Sequence, residues 1–565
     1  MPSARPNRKR QALQVGALAL LFGVAVTLWT TPWRLEQAIR NASLAELQAT
    51  ARRDPDNEQI HYYCGIRFRQ QGHYREAKAE FQRAAKLDGE DEAAWLGWAD
   101  SAERSGEERE ALAVLETFAK AHPQLPRTQL ALARCYGRGR QHFRAYQTAS
   151  MAARLAPKDS EAARCRGEEA IALGRWTDAE QSLTQALPPD ARDASAAMTS
   201  AWRDAAQQMA AKRYSEAAQS FRSSLKTDPQ SASAWQGLGI ALNLKGQGDE
   251  AFRCLTTALQ LDPGLPETLY ALAGFSFRTG LTDQAGRLLQ SAARLNPDNA
   301  TYQDALGTVL RLKMDKYGDA EAVFRRAVAL EPNNAVYTLD LADIVARSHR
   351  SQEAETLYRQ LLTQSPGNSE AAFALGRLIV ETHPTPDRLD EAEHLLKQVV
   401  ASDPNHAGAL FDLGRLSLIR NAPKQAIDYL ERAVVCAPHN AYAFYHLSLA
   451  YQRLGNMERA RACRAAFQER ADLDRNVLDL EQTARVRPKE PAVRLKLARA
   501  LAKTVETTKA INQYQVYLAM RPNDQSVRRE LDAFTRTLTA RGQAPDMALF
   551  NAMIHLDTPV DAPLK

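Results

Sequence analysis

Apolar residues along most of this chain fall at positions i, i+3, i+4 and i+7. In the stretch that starts at Ser233, Trp235, Leu238, Gly239 and Leu242 share one face of a first helix. Ala251, Leu255 and Ala258 share one face of a second. That spacing predicts a pair of amphipathic helices. Gly246 and Gly248 break the chain between them, and Pro263 stops the second. Small residues at Gly239 and Ala251 let the two helices approach closely.

The same pattern recurs with a step of 34 residues, as in Pro123 to Pro157, Pro229 to Pro263 to Pro297, and Pro404 to Pro438. Ala77, Ala111, Ala145 and Ala179 keep that step in the second helices, as do Ala217, Ala251 and Ala285. A fixed period of this length marks a repeat array. Thirteen units are predicted between about residues 58 and 523, with one inserted residue near Tyr317 and four within "THPTPDRLD". The register blurs near 188–197, and an irregular helix over 471–489 stands without a full pair. Residues 524–540 read as a polar capping helix and 541–565 as a tail.

The unit resembles the tetratricopeptide repeat (TPR). That family's pattern of Trp, Leu-Gly, Tyr, Ala, Phe, Ala and Pro at fixed offsets is matched best here by Trp235, Leu238, Gly239, Ala251, Ala258 and Pro263. The resemblance covers most of the chain. It implies an all-α, right-handed α-solenoid of about thirteen helix-turn-helix units.

The first 57 residues read differently. Arg5, Arg8, Lys9 and Arg10 precede an apolar run from Ala12 to Trp29, interrupted only by Gln14 and Thr27. At 1.5 Å per residue the run covers about 27 Å, enough to cross a bilayer core. Trp29 and Trp33 stand where an aromatic belt would lie. A basic N-terminus at 1–11, a single transmembrane signal anchor at 12–33 and a juxtamembrane linker helix at 34–57 are predicted. The positive-inside rule puts the N-terminus in the cytoplasm and the array outside it, in the periplasm of a bacterium. The alternative is a cleaved signal peptide, but Leu28, Trp29, Pro32 and Trp33 crowd the cleavage region.

Composition narrows the chemistry. Lys and Arg number 73 against 67 Asp and Glu, with no basic block beyond the N-terminus, so nucleic acid is not an expected partner. The six cysteines form no C-x-x-C pair and read as small core residues. His439 and His446 are read as packed or solvent-facing, not as metal ligands. Metalloprotease, nucleophile-elbow, P-loop and dinucleotide fingerprints are missing from the sequence. No catalytic residue, cofactor or metal is expected, and the array leaves no room for a catalytic domain.

The resemblance implies that function lies on the concave surface lined by the first helices. The family's lining positions fall here on Phe373, Phe411 and Tyr445 (fifth), Arg377 and Arg415 (ninth) and Arg453 (thirteenth). "FALGR" and "FDLGR" each place Phe and Arg four apart on one helix face. Phe373, Arg377, Phe411, Arg415, Tyr442, Tyr445 and Arg453 are the expected partner-binding residues, for an extended peptide or helix of acidic character. Asp343, Glu370 and Glu381 make the surface only mildly positive. The Lys-x-x-x-Asn of the carboxylate-clamp co-chaperones is missing at these positions. The layout is similar to an anchored TPR regulator of lipopolysaccharide synthesis, without that family's cysteine-rich metal module. The expected function is a membrane-anchored scaffold in assembly or regulation of an envelope complex. The alternative is a non-catalytic periplasmic adaptor of a polysaccharide-synthesis, export or glycosyltransferase system.

Overall fold

The structure, a computed structural model, describes residues 37, 39–187, 194–278, 281–312, 316–382 and 385–540. These residues form 28 α-helices. From Glu58–Gln70 to Thr507–Met520 the helices follow one another in chain order as thirteen pairs, each a first and a second helix. The expected all-α repeat solenoid is therefore the fold. Leu44–Arg53 precedes the pairs and Gln525–Ala540 follows them.

Local chemistry sets each boundary. Asp91, Asp159, Asn334, Asn368 and Asn440 N-cap first helices, their side-chain oxygens accepting from a backbone N–H two or three residues on. The turn between the two helices of a pair needs one residue in the left-handed region. Gly72, Gly106, Gly174, Gly246 and Gly455 fill it in five pairs, and Arg140, Lys212, His349 and Asn421 fill it in four others.

The recurring small residues are where the helices meet. Ala77, Ala111, Ala145, Ala251, Ala320 and Ala426 are fully buried. A Cβ on Gly65 or Gly97 would lie 2.9 or 2.6 Å from the Phe81 ring, so one aromatic side chain occupies the space left by two glycines. Gly307 alone leaves room for Phe324, and Gly414 for Leu430. Gly65 belongs to the first helix pair and Gly97 to the second, so Phe81 joins the two.

The chain divides into two compact units. Unit 1 comprises Met1–Ala241 and Asp262–Leu265, and unit 2 comprises Leu242–Leu261 and Pro266–Lys565. At the start of unit 1, Ile39, Ala42 and Leu47 pack on Ile60 and Cys64. At the end of unit 2, Val527, Leu531 and Leu538 of the last helix pack on Ile511, Tyr514 and Tyr517.

One irregularity has a simple form. The step from Ala460 to Ala510 is 50 residues instead of 34. Residues 471–486 are the second half of one helix, Met457–Val486, which runs for 30 residues where the second helix of the preceding pair has 14. The insertion thus lengthens a helix without breaking the stack. Ala484 at its far end packs with Val493, Leu497 and Leu501 of the next pair.

Four cysteines are buried as expected, while Cys436 is exposed and Cys463 half-buried. Among the described residues no helix is long and apolar enough to cross a membrane. The expected anchor at 12–33 and the tail at 541–565 lie outside the described residues, as does most of the expected register break at 188–197.

Candidate functional site: the first-helix face of unit 2

Within unit 2 the first helices of successive pairs pack side by side. Ser369–Glu381 touches Ala335–Arg347 on one flank and Ala407–Ile419 on the other, and Ala407–Ile419 touches Ala441–Arg453. Second helices of successive pairs do not approach one another to the same degree. The first-helix layer is thus the tighter one, and it presents the side chains of the candidate site.

Phe373 and Arg377 project from Ser369–Glu381 one turn apart, and the Arg377 guanidinium carbon lies 5.2 Å from the Phe373 ring centre. Arg415 sits 5.7 Å from the Phe411 ring on the next first helix. Both pairs have cation–π geometry, and all four side chains are half-buried. The Phe373 ring has room because residue 408 is glycine, where a Cβ would lie 2.6 Å from it. His406, the N-cap of the same helix, packs on Phe373 at 4.6 Å between ring centres.

The aromatic row continues into the next pair. His446 stands 5.5 Å from Phe411 and 5.3 Å from Tyr445, and Tyr445 stands 5.4 Å from Phe467 on the long second helix. Tyr442 is 66% exposed and meets Phe467 at 6.3 Å. Arg453 lies apart from this row. Its guanidinium donates to the Leu418 carbonyl and so terminates the preceding first helix.

Charge is unevenly balanced. Asp412, 1% exposed, accepts from Arg415 at 2.9 Å. Burial pushes its carboxyl up to about 6 against the pull of Arg415. Burial and the Arg415 charge together hold His446 down to about 4, so it is neutral at pH 7. Arg377 makes no ion pair among the described residues. The face therefore offers flat aromatic surface, one paired guanidinium and one unpaired one. Such a surface can seat an apolar stem and accept a carboxylate.

The structure thus brings Phe373, Arg377, Phe411, Arg415 and Tyr445 onto one face, sets Tyr442 at its edge and spends Arg453 on a helix end. Sequence reasoning missed His406, Phe467 and Asp412, and read His446 as packed or solvent-facing without placing it beside Phe411. Asp412 was visible inside "FDLGR", but nothing in the sequence marked it as buried. Phe467 belongs to a second helix, where the family pattern expects core. Among the described residues no group of His, Cys, Asp and Glu is placed to hold a metal ion.

Comparison with known proteins agrees with this architecture. The tetratricopeptide repeat family matches residues 64–126, 207–266, 242–308, 309–369, 387–441 and 441–463, together more than half of the chain. Anaphase-promoting complex subunit 3 of Schizosaccharomyces pombe is 25% identical over an alignment of 189 residues, and the match covers 27% of this chain and 28% of that protein. The type IV pilus assembly protein PilF of Pseudomonas aeruginosa is 26% identical over 161 residues, 28% of this chain and 62% of that protein. The chain therefore spans less than two thirds of the length of these curated relatives. The crystal structure of the APC/C hetero-tetramer Cut9–Hcn1 is similar over 88% of this chain and 94% of that one, at 15% identity and a TM-score of 0.29. The period, the helix pairs and these family matches identify the chain as a member of the tetratricopeptide repeat family.

Proposed function

We propose that this chain is a non-catalytic scaffold whose first-helix face in unit 2 holds a protein segment of acidic character. The observation that carries the reading is the pair of Phe–Arg stacks on adjacent first helices, Phe373 with Arg377 and Phe411 with Arg415. A stacked guanidinium is held in place before a partner arrives, so less side-chain entropy is lost on binding. An Asp or Glu of the partner pairs with Arg377, and its apolar neighbours lie on Phe373, Phe411 and Tyr445.

The scaffold is anchored by residues 12–33, with the array on the extracytoplasmic side of a bacterial membrane, where it serves assembly or regulation of an envelope complex. Support comes from the basic-then-apolar N-terminal pattern and from the likeness to a pilus assembly protein. A periplasmic adaptor of a polysaccharide or glycosyltransferase system has the same support from sequence pattern alone.

The test is affinity purification of the full chain from detergent-solubilised membranes, beside the Arg377→Glu/Arg415→Glu variant. The expected result is a partner recovered with the wild type and lost from the variant. Unchanged recovery from a folded variant removes the groove reading. A chain recovered in the soluble fraction without detergent removes the anchor reading.

A further inference from the structure

In a stacked repeat array each unit touches only its neighbours. Unit 1 departs from this rule at two places. His142, the first residue of the helix His142–Leu155, lies between two carboxylates. Its Nδ1 is 2.7 Å from Glu169 and its Nε2 is 2.9 Å from Asp262, a residue 120 positions away. The second place is Gln236, which has no exposed surface. Its amide donates to the carbonyls of Ile171 and Ala172 at 3.0 and 3.1 Å, at the end of the first helix of the fourth pair.

The backbone is shaped for the first contact. Arg140 holds the turn before His142 with φ +57°. A Cβ on Gly264 would lie 2.6 Å from the Arg140 carbonyl oxygen, so glycine alone permits the turn Asp262–Leu265 to sit there. Asp262 also accepts from the Gly264 N–H at 2.7 Å, which fixes its carboxylate toward His142.

Beside the first contact lies a cavity of about 300 Å³. His142, Glu168, Glu169, Trp202, Asp228 and Ser233 are among its walls. We propose that His142 and Gln236 are locks that hold the turn Asp262–Leu265 and residues 232–241 against the earlier helix pairs of unit 1, and that this part of unit 1 opens when they are released.

The charges around His142 favour the closed form. Glu169 and Asp262 bond its two nitrogens, Glu168 and Asp228 share the cavity, and Arg140 stands 3.7 Å from Asp262 on its other side. The two carboxylates hold the imidazole protonated up to about 9 although burial opposes it. The lock is therefore shut throughout the neutral range.

The experiment follows amide hydrogen exchange of peptides covering 139–142, 171–174 and 262–265 in the full chain by mass spectrometry. The comparison is between the wild type and His142→Gln, with Asp262→Asn as a second release of the same bond from the other end. Exchange of these peptides is expected to rise about tenfold or more in both release variants, the usual signature of a local opening made more frequent. An unchanged rate in both variants overturns the proposal. So does loss of all helical signal in both, because releasing a lock leaves the helix pairs intact.

Discussion

Replacing Asp412 by Asn should stabilise the fold at neutral pH. Asp412 is buried beneath the Phe411–Arg415 stack, and its carboxyl is raised from 3.8 to about 6 although Arg415 bonds it. Ionising it in the folded state therefore costs about 3 kcal/mol relative to the unfolded chain. Asn keeps an oxygen for Arg415 and removes the charge, but it adds an amide that needs a partner, at about 1 kcal/mol. The expected net gain near pH 7.5 is about 2 kcal/mol, or roughly thirtyfold in local opening. The folded state takes up the proton more readily than the unfolded one. Stability from this group is thus present below 3.8 and lost as pH rises through about 6. Repeat arrays open in parts, so the assay is amide hydrogen exchange of peptides covering 407–419, compared between the two proteins at each pH. The variant should exchange more slowly at pH 7.5, and the difference should shrink at pH 4.5. Faster exchange in the variant at pH 7.5, or a difference independent of pH, would refute the reasoning.

Gly97→Ala puts a methyl 2.6 Å from the buried Phe81 ring. Overpacking of about 1–3 kcal/mol outweighs the helix-propensity gain of about 1 kcal/mol, so urea unfolding followed by Trp95 and Trp98 fluorescence should shift to lower urea. Gly89→Ala, with open space around it, serves as the control and should unfold close to the wild type. Arg453→Ala removes the donor to the Leu418 carbonyl. It should speed amide exchange near residue 420 and leave partner capture intact. Capture lost with normal exchange would return Arg453 to the binding face.

The fold was legible because its signal is repeated. Small residues such as Ala77, Ala111 and Ala99 are fixed by helix packing, and that constraint recurs every 34 residues. The helix Met457–Val486 was not legible as one element. Its second half is polar around most of its circumference, with Leu478 and Val486 exposed, so no apolar stripe announces that it continues. The Phe–Arg stacks followed from i, i+4 spacing alone. The fate of each charge did not. Asp412 and Arg453 are set by their neighbours on adjacent first helices, and a one-dimensional pattern carries no record of that. The His142–Asp262 contact lies further still from any periodicity, since it joins residues 120 apart.

The most direct measurement of the central claim is site-specific photo-crosslinking from an aromatic photo-reactive residue placed at position 442, the exposed edge of the first-helix face, beside one at position 397 on a second helix. The scaffold reading predicts a crosslink from position 442 to a partner segment rich in Asp or Glu, and none to that segment from position 397. A crosslink from 397 to the same segment, or none from 442 while the partner still co-purifies, would contradict it.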